Sequence, residues 1–178
     1  MTSGHVFIAT SLDGFIARAD GEIDWLIGRS GTAEDHGYAA FIEDKETIVM
    51  GRGTYEKTLS FDTWPYDLPV LVLSKQLADT PIPQSLQGKV RFTSATPLEI
   101  VADLAAQNVK KIYVDGGQVV QSFLRDGLIE DMVITTVPVL IGTGKSLFGA
   151  LQHDVGLELV SSRSFPSGLV QSTYRVSR

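Results

Sequence analysis

Four consecutive residues, Gly51-Arg52-Gly53-Thr54, have the types needed to hold a phosphate. The apolar run Thr47-Ile-Val-Met50 before them reads as a strand that stops at Gly51. Such a strand delivers a cation, a hydroxyl and bare backbone N–H groups to one point. Gly51 and Gly53 let a ligand approach the main chain, and the Arg52 guanidinium is a planar fork of donors that matches phosphate. Ser74-Lys75 ends a second apolar stretch in the same style, and Gly116-Gly117 follows a third, Lys111-Ile-Tyr-Val-Asp115. A diglycine that opens a helix aims backbone donors along the positive helix end. Three such strand ends on one sheet edge predict a phosphate-bearing ligand, a dinucleotide held across the carboxyl edge. Arg52 and Lys75 can both reach a ribose 2′-phosphate, which favours NADPH over NADH.

Other constellations fall away. Gly142-Thr-Gly-Lys-Ser146 ends like a nucleotide triphosphatase loop, but that motif needs a glycine where Val139 stands. His5, His36 and His153 are scattered, without metal-ligand spacing, so no metal site is expected. The dinucleotide fingerprint G-x-G-x-x-G is never completed, and no serine sits in a nucleophile elbow. Among carboxylates, Asp13, Asp24 and Asp35 lie in the amino-terminal region, and each suits a turn or cap as well as catalysis. Asp35 is the first choice for a catalytic acid, because it is expected to begin a helix that runs into the Gly51 strand.

The positioning elements follow from pattern. Val6–Thr10 reads as a buried strand, with Ser11-Leu-Asp-Gly14 as a turn and a polar loop around Asp20-Gly21. Thr32 or Asp35 caps a helix to about Asp44, with Tyr38, Phe41 and Ile42 at helical spacing. Pro69–Leu73 and Val90–Thr93 are short strands, and Thr96-Pro-Leu-Glu99 is a capping box with proline at the first helical position. Gln118–Arg125 is a helix stopped by Gly127. From Met132–Leu140 onward strands follow one another, and Leu157–Phe165 and Leu169–Val176 flank Pro166-Ser-Gly168 as a hairpin. The expected fold is α/β: a three-layer α/β/α domain spanning 1–178, with a central mixed, mostly parallel sheet and an antiparallel C-terminal hairpin.

Composition narrows the partners. The net charge is −6 and no run of like charge exceeds two residues, which disfavours nucleic acid. No apolar stretch approaches the roughly 20 residues that span a bilayer, so no membrane partner is expected. There is no cysteine, which excludes disulfides and thiol catalysis and makes a reducing cytoplasm the expected setting.

With those residues assembled, the chain resembles the dihydrofolate reductase superfamily over nearly its whole length. Ile48-Val-Met-Gly-Arg-Gly-Thr-Tyr-Glu56, Val72-Leu-Ser74 and Val114-Asp-Gly-Gly-Gln118 are similar to that family's cofactor-binding strand ends. Ser11-Leu-Asp-Gly-Phe-Ile-Ala17 and Pro138-Val-Leu-Ile-Gly-Thr-Gly-Lys-Ser-Leu-Phe148 resemble the branch containing the reductase domain of bifunctional riboflavin-biosynthesis enzymes. The resemblance implies that Ala9, Thr10 and Ile16 line the nicotinamide. It further implies that Gly51, Arg52, Thr54, Ser74 and Lys75 hold the adenosine phosphate end, with Gly116, Gly117, Gln118 and Val119 around the pyrophosphate. Asp35 stands at the spacing of the folate reductases' substrate acid. Asp13 is the next candidate, because its turn follows the strand expected to line the nicotinamide. A homodimer is implied too, and the apolar terminal hairpin would otherwise leave an unprotected edge.

Departures bear on the substrate. Folate reductases carry an arginine near the position of Asp67-Leu-Pro69, and riboflavin-pathway reductases one near Ala40-Phe-Ile-Glu43; neither stretch has a cation here. The leading expectation is an NADPH-dependent oxidoreductase acting on a small heterocycle, nearest to the pyrimidine reductase of riboflavin biosynthesis. Dihydrofolate reduction is the runner-up, and an NADPH-binding sensor without turnover is the alternative from another class.

Overall fold

A computed structural model describes residues 1–27 and 34–177. The chain opens with β1 (Ser3–Ser11), β2 (Phe15–Ala17), α1 (Asp24–Ile27) and α2 (Tyr38–Ile42). It continues through β3 (Thr47–Gly51), α3 (Arg52–Leu59), β4 (Val70–Leu73), β5 (Val90–Thr93), α4 (Pro97–Ala106), β6 (Lys111–Asp115) and α5 (Gly117–Arg125). It closes with β7 (Ile129–Val137), β8 (Lys145–Ser146), β9 (Leu157–Ser164) and β10 (Val170–Val176).

Eight strands form one sheet in the order β5-β4-β3-β6-β1-β7-β10-β9. From β5 to β7 neighbouring strands run parallel, and β10 and then β9 pair antiparallel at one edge. Ile100, Val101 and Leu104 of α4 and Val119, Val120 and Phe123 of α5 bury one face of the sheet. Tyr55 of α3 and Phe41 and Ile42 of α2 cover the other. Helices thus lie on both faces of the mixed sheet, in three layers.

The structure adjusts some expected boundaries. The second helix starts at Tyr38 with Gly37 as its N-cap, not at Asp35; Thr32 lies outside the described residues. The Asp35 carboxylate accepts the Gly37 N–H at 2.7 Å, a local turn that competes with helix there. Gly37 then takes φ +81°, which a side chain would resist. β7 begins at Ile129, just after Gly127 stops α5 at φ +66°, and it ends before Pro138, which has no N–H for a ladder. The two-stranded sheet of β2 and β8 is too short to show a period in the sequence.

Candidate active site

The ladder between β1 and β6 sets the site. β1 pairs with β6 only from Ser3 to His5, whereas it pairs with β7 from Gly4 to Ser11. Beyond His5 and Tyr113 the two strands part, opening a cleft at the carboxyl edge. α5 begins at the lip of that cleft and α3 begins one strand away, since Met50 pairs with Asp115.

The two helix starts touch. A Cβ added to Gly116 would lie 2.5 Å from Thr54 Oγ1, and Gly116 also has φ +90°. One added to Gly117 would collide with the Ser146 carbonyl and lie 3.3 Å from Ile16 Cδ1. One on Gly51 would meet Val119 Cγ2 at 3.2 Å. Gly51, Thr54, Gly116, Gly117, Val119 and Ile16 are therefore brought together, packed so closely that a side chain at any of the three glycines would press on its neighbours. Neither α3 nor α5 has a side-chain cap or an acidic residue in its first turn. Apart from the Gly116 N–H, which the Asp115 carboxylate accepts, these helix starts carry no side-chain cap, the state that suits a bound anion. Two uncapped helix starts side by side suit the negative charge of a group such as a dinucleotide pyrophosphate.

The remaining cofactor candidates ring that point. Gly51 pairs with Leu73, so Ser74 and Lys75 follow directly beside Arg52. Lys75 is exposed; the Ser74 hydroxyl is buried and accepts the Leu77 N–H at 3.2 Å, shaping the turn. Among the described residues Arg52 reaches Glu56 alone, one helical turn on, at 3.3 Å, an exposed pair that holds it weakly. Gln118 lies exposed in the first turn of α5. Ala9 and Thr10 occupy the end of β1, with Thr10 buried.

Two carboxylates singled out in the sequence hold loops. Asp35 is exposed, and its carbonyl receives Arg163 of β9 at 3.5 Å. Gln171 of β10 pins the same segment by donating to the His36 carbonyl at 2.9 Å. The same Gln171 amide bonds the Thr135 hydroxyl of β7 at 2.9 Å, so this segment lies over the β7–β10–β9 side of the sheet. Asp13 accepts from the Gly142 amide at 2.8 Å and from Ile141 at 3.1 Å, tying the turn after β1 to the segment before β8. The Ser11 hydroxyl, and then these amides, hold its carboxyl below the usual range.

A third carboxylate, unmarked by sequence reasoning, stands at the cleft. Asp115 ends β6 immediately before the diglycine and accepts the Gly116 N–H at 2.8 Å. It is half-buried, and the desolvation raises its pKa to about 6, although the Gly116 amide and the Tyr113 and Tyr66 hydroxyls pull it down. Burial also pushes the Tyr113 and Tyr66 phenols up. Across the cleft, the Tyr113 hydroxyl donates to the Phe7 carbonyl at 2.9 Å, and the Tyr38 ring packs on Phe7 at 5.5 Å. A carboxyl group whose pKa is raised by burial, beside aromatic rings, is a candidate for proton transfer. The sequence signal was there: an acid two residues after Tyr113 on one strand, followed at once by the glycines.

The model of the RibD C-terminal domain matches residues 3–171. The chain belongs to that family. It is 34% identical over 164 residues to YwjB of Bacillus subtilis (strain 168), itself uncharacterized, covering 90% of each protein. A Shewanella sp. PV-4 structure, provisionally named for riboflavin biosynthesis, superposes with a TM-score of 0.92 at 41% identity, over 99% of this chain and 100% of that one. A Thermotoga maritima diaminohydroxyphosphoribosylaminopyrimidine deaminase/5-amino-6-(5-phosphoribosylamino)uracil reductase shares the fold, with a TM-score of 0.74 at 16% identity. That match covers 99% of this chain and 57% of the Thermotoga protein. In this RibD C-terminal domain, Asp115 and the glycine pair stand together at the end of β6.

Proposed function

We propose that this RibD C-terminal domain is an NADPH-dependent reductase that delivers a hydride to a C=N or C=O carbon of a small heterocycle. The nearest named activity is 5-amino-6-(5-phosphoribosylamino)uracil reduction, with dihydrofolate reduction second. The observation that carries this reading is the cradle at Gly51–Thr54 and Gly116–Gly117, where two uncapped helix starts meet beside the β1–β6 cleft.

NADPH, when bound, supplies the hydride; the protein supplies position and a proton. Gly116, Gly117 and Thr54 receive the pyrophosphate, with Gln118 and Val119 behind. Arg52 and Lys75 select the 2′-phosphate beside Ser74. Ala9, Thr10 and Ile16 line the nicotinamide. Asp115, in place of Asp35 and Asp13, holds the proton delivered to the atom next to the hydride acceptor. Its pKa of about 6 leaves a protonated fraction near neutral pH, so the proton-dependent limb of kcat falls as pH rises through about 6. Asp115→Asn removes that limb.

The reading is tested by titrating NADPH and NADH through quenching of Trp25 and Trp64 fluorescence. NADPH binds more tightly, and Arg52→Ala weakens it by about 10-fold or more while leaving NADH unchanged. Equal affinities in the wild type, or an indifferent Arg52→Ala, overturn it. The second reading, a sensor without turnover, draws on the missing cations at Ala40–Glu43 and Asp67–Pro69. It predicts NADPH binding with no oxidation by any pyrimidine or pteridine.

The same reading includes a cytoplasmic two-fold dimer. All of β9 is exposed at the sheet edge, including Leu157, Leu159 and Val160, an edge that soluble proteins normally cover. Sedimentation at the 19.3 kDa monomer mass across micromolar concentrations dismisses the dimer.

A further inference from the structure

The Gly142-Thr-Gly-Lys-Ser146 segment fails as a triphosphatase loop, yet it lands on the cofactor cleft. The Asp13 carboxylate fastens its start through the Ile141 and Gly142 amides. A Cβ on Gly144 would collide with the Ala17 carbonyl, so the segment lies flush against β2. β8 then pairs Lys145 with Ala17 and Ser146 with Phe15. This register lays Lys145 over the start of α3. Its Nζ is 3.8 Å from the Cβ position of Gly53, the second residue of α3, and 3.3 Å from that of Gly21. The next carbonyl, that of Ser146, is the one that crowds Gly117 on α5.

The ammonium group has no ion pair among the described residues, whereas nearby Lys57 bonds Glu22 at 3.0 Å. It stands at the positive end of a helix that carries Arg52 and no acidic residue in its first turn. A cation there is repelled by the helix dipole and by its neighbour unless an anion lies between them. Taking the cofactor reading above as its basis, we infer that Lys145, carried on the β2–β8 flap, is the cation for the dinucleotide pyrophosphate. The pyrophosphate is favoured over the 2′-phosphate because Lys145 adjoins Ser146 at the diglycine. Lys75 follows β4, on the far side of Arg52.

Isothermal titration of NADPH and NADH separates the roles. Both dinucleotides share the pyrophosphate, so Lys145→Met should raise both dissociation constants by the same factor, about 10-fold. Lys145→Arg, which keeps the charge, should stay within about 3-fold of wild type, and Arg52→Ala should affect NADPH alone. A Lys145→Met protein that binds both as tightly as wild type overturns the inference, as does one that loses affinity for NADPH only. Wild-type protein that binds neither dinucleotide overturns the cofactor reading itself and the Lys145 assignment with it.

Discussion

The amino-terminal ends of α4 and of α3 and α5 are built by opposite rules. At α4 the Thr96 hydroxyl accepts the Glu99 N–H, the Glu99 carboxylate accepts the Thr96 N–H at 2.8 Å, and Pro97 removes a donor that would otherwise lack a partner. That end satisfies itself. α3 and α5 start at Gly51 and Gly116, without a side-chain cap, without an acid in the first turn, and against each other. Among the described helices of eight or more residues, α4 is alone in carrying a side-chain cap. A helix serving only the fold gains by closing its own end. Two ends left open at one point forgo that stabilisation, and the compensation is affinity for an anion.

The contrast can be broken at each end. Gly117→Ala carries the largest effect, because its methyl group collides with the Ser146 carbonyl and lifts the flap. Dinucleotide affinity should fall at least about 100-fold, with about 1–3 kcal/mol of stability lost to overpacking. Binding within 10-fold of wild type would show that the cradle is not the ligand's seat.

Asp115→Asn comes next. The wild-type carboxyl has a folded pKa of about 6 against the 3.8 of an ordinary aspartate. Its favourable contribution to folding is therefore complete below about pH 4 and is lost as pH rises through 6. Asparagine, which can still accept the Gly116 N–H, should be more stable than wild type by about 2 kcal/mol at pH 8, with little difference at pH 3.5. Urea melts at the two pH values check the sign, and a stability difference independent of pH refutes it.

Thr96→Ala is the smallest. Loss of the α4 cap should cost about 1 kcal/mol, or a Tm drop of about 2–4 °C, while both dinucleotides bind as before. A weakened NADPH affinity in this variant would mean that the two kinds of helix end are coupled.

Much of this was legible in the residues, for physical reasons that also mark its limits. The capping box at Thr96, the stop at Gly127 and the hairpin around Gly168 are signals local in sequence, and each appears where its pattern puts it. The glycine strand ends were visible because a missing side chain is as readable as a present one. Asp115 carries no local mark of its raised pKa, because the burial that raises it is created only when the fold closes around it. Lys145 was hidden by pairing between a three-residue and a two-residue strand, below any detectable period. Asp35 looked like a helix start because an acidic residue before apolar spacing commonly is one; its own turn with Gly37 delayed the helix.

The divergence of β1 from β6 has a consequence for variation. The Phe7 carbonyl already points across the gap to Tyr113, and Ala9, two residues along, presents its peptide group on the same side. One wall of the cleft is therefore main chain, whose donors and acceptors are identical for nearly every amino acid. Substitutions at Ala9 can crowd that wall but cannot strip it of its polarity, proline apart. Side chains around Asp115, Tyr38 and Tyr66 have no such protection. On the proposed reading, cofactor recognition persists while the facing half of the pocket drifts toward new substrates, and resistance to a cleft-binding inhibitor would arise first on the tyrosine side.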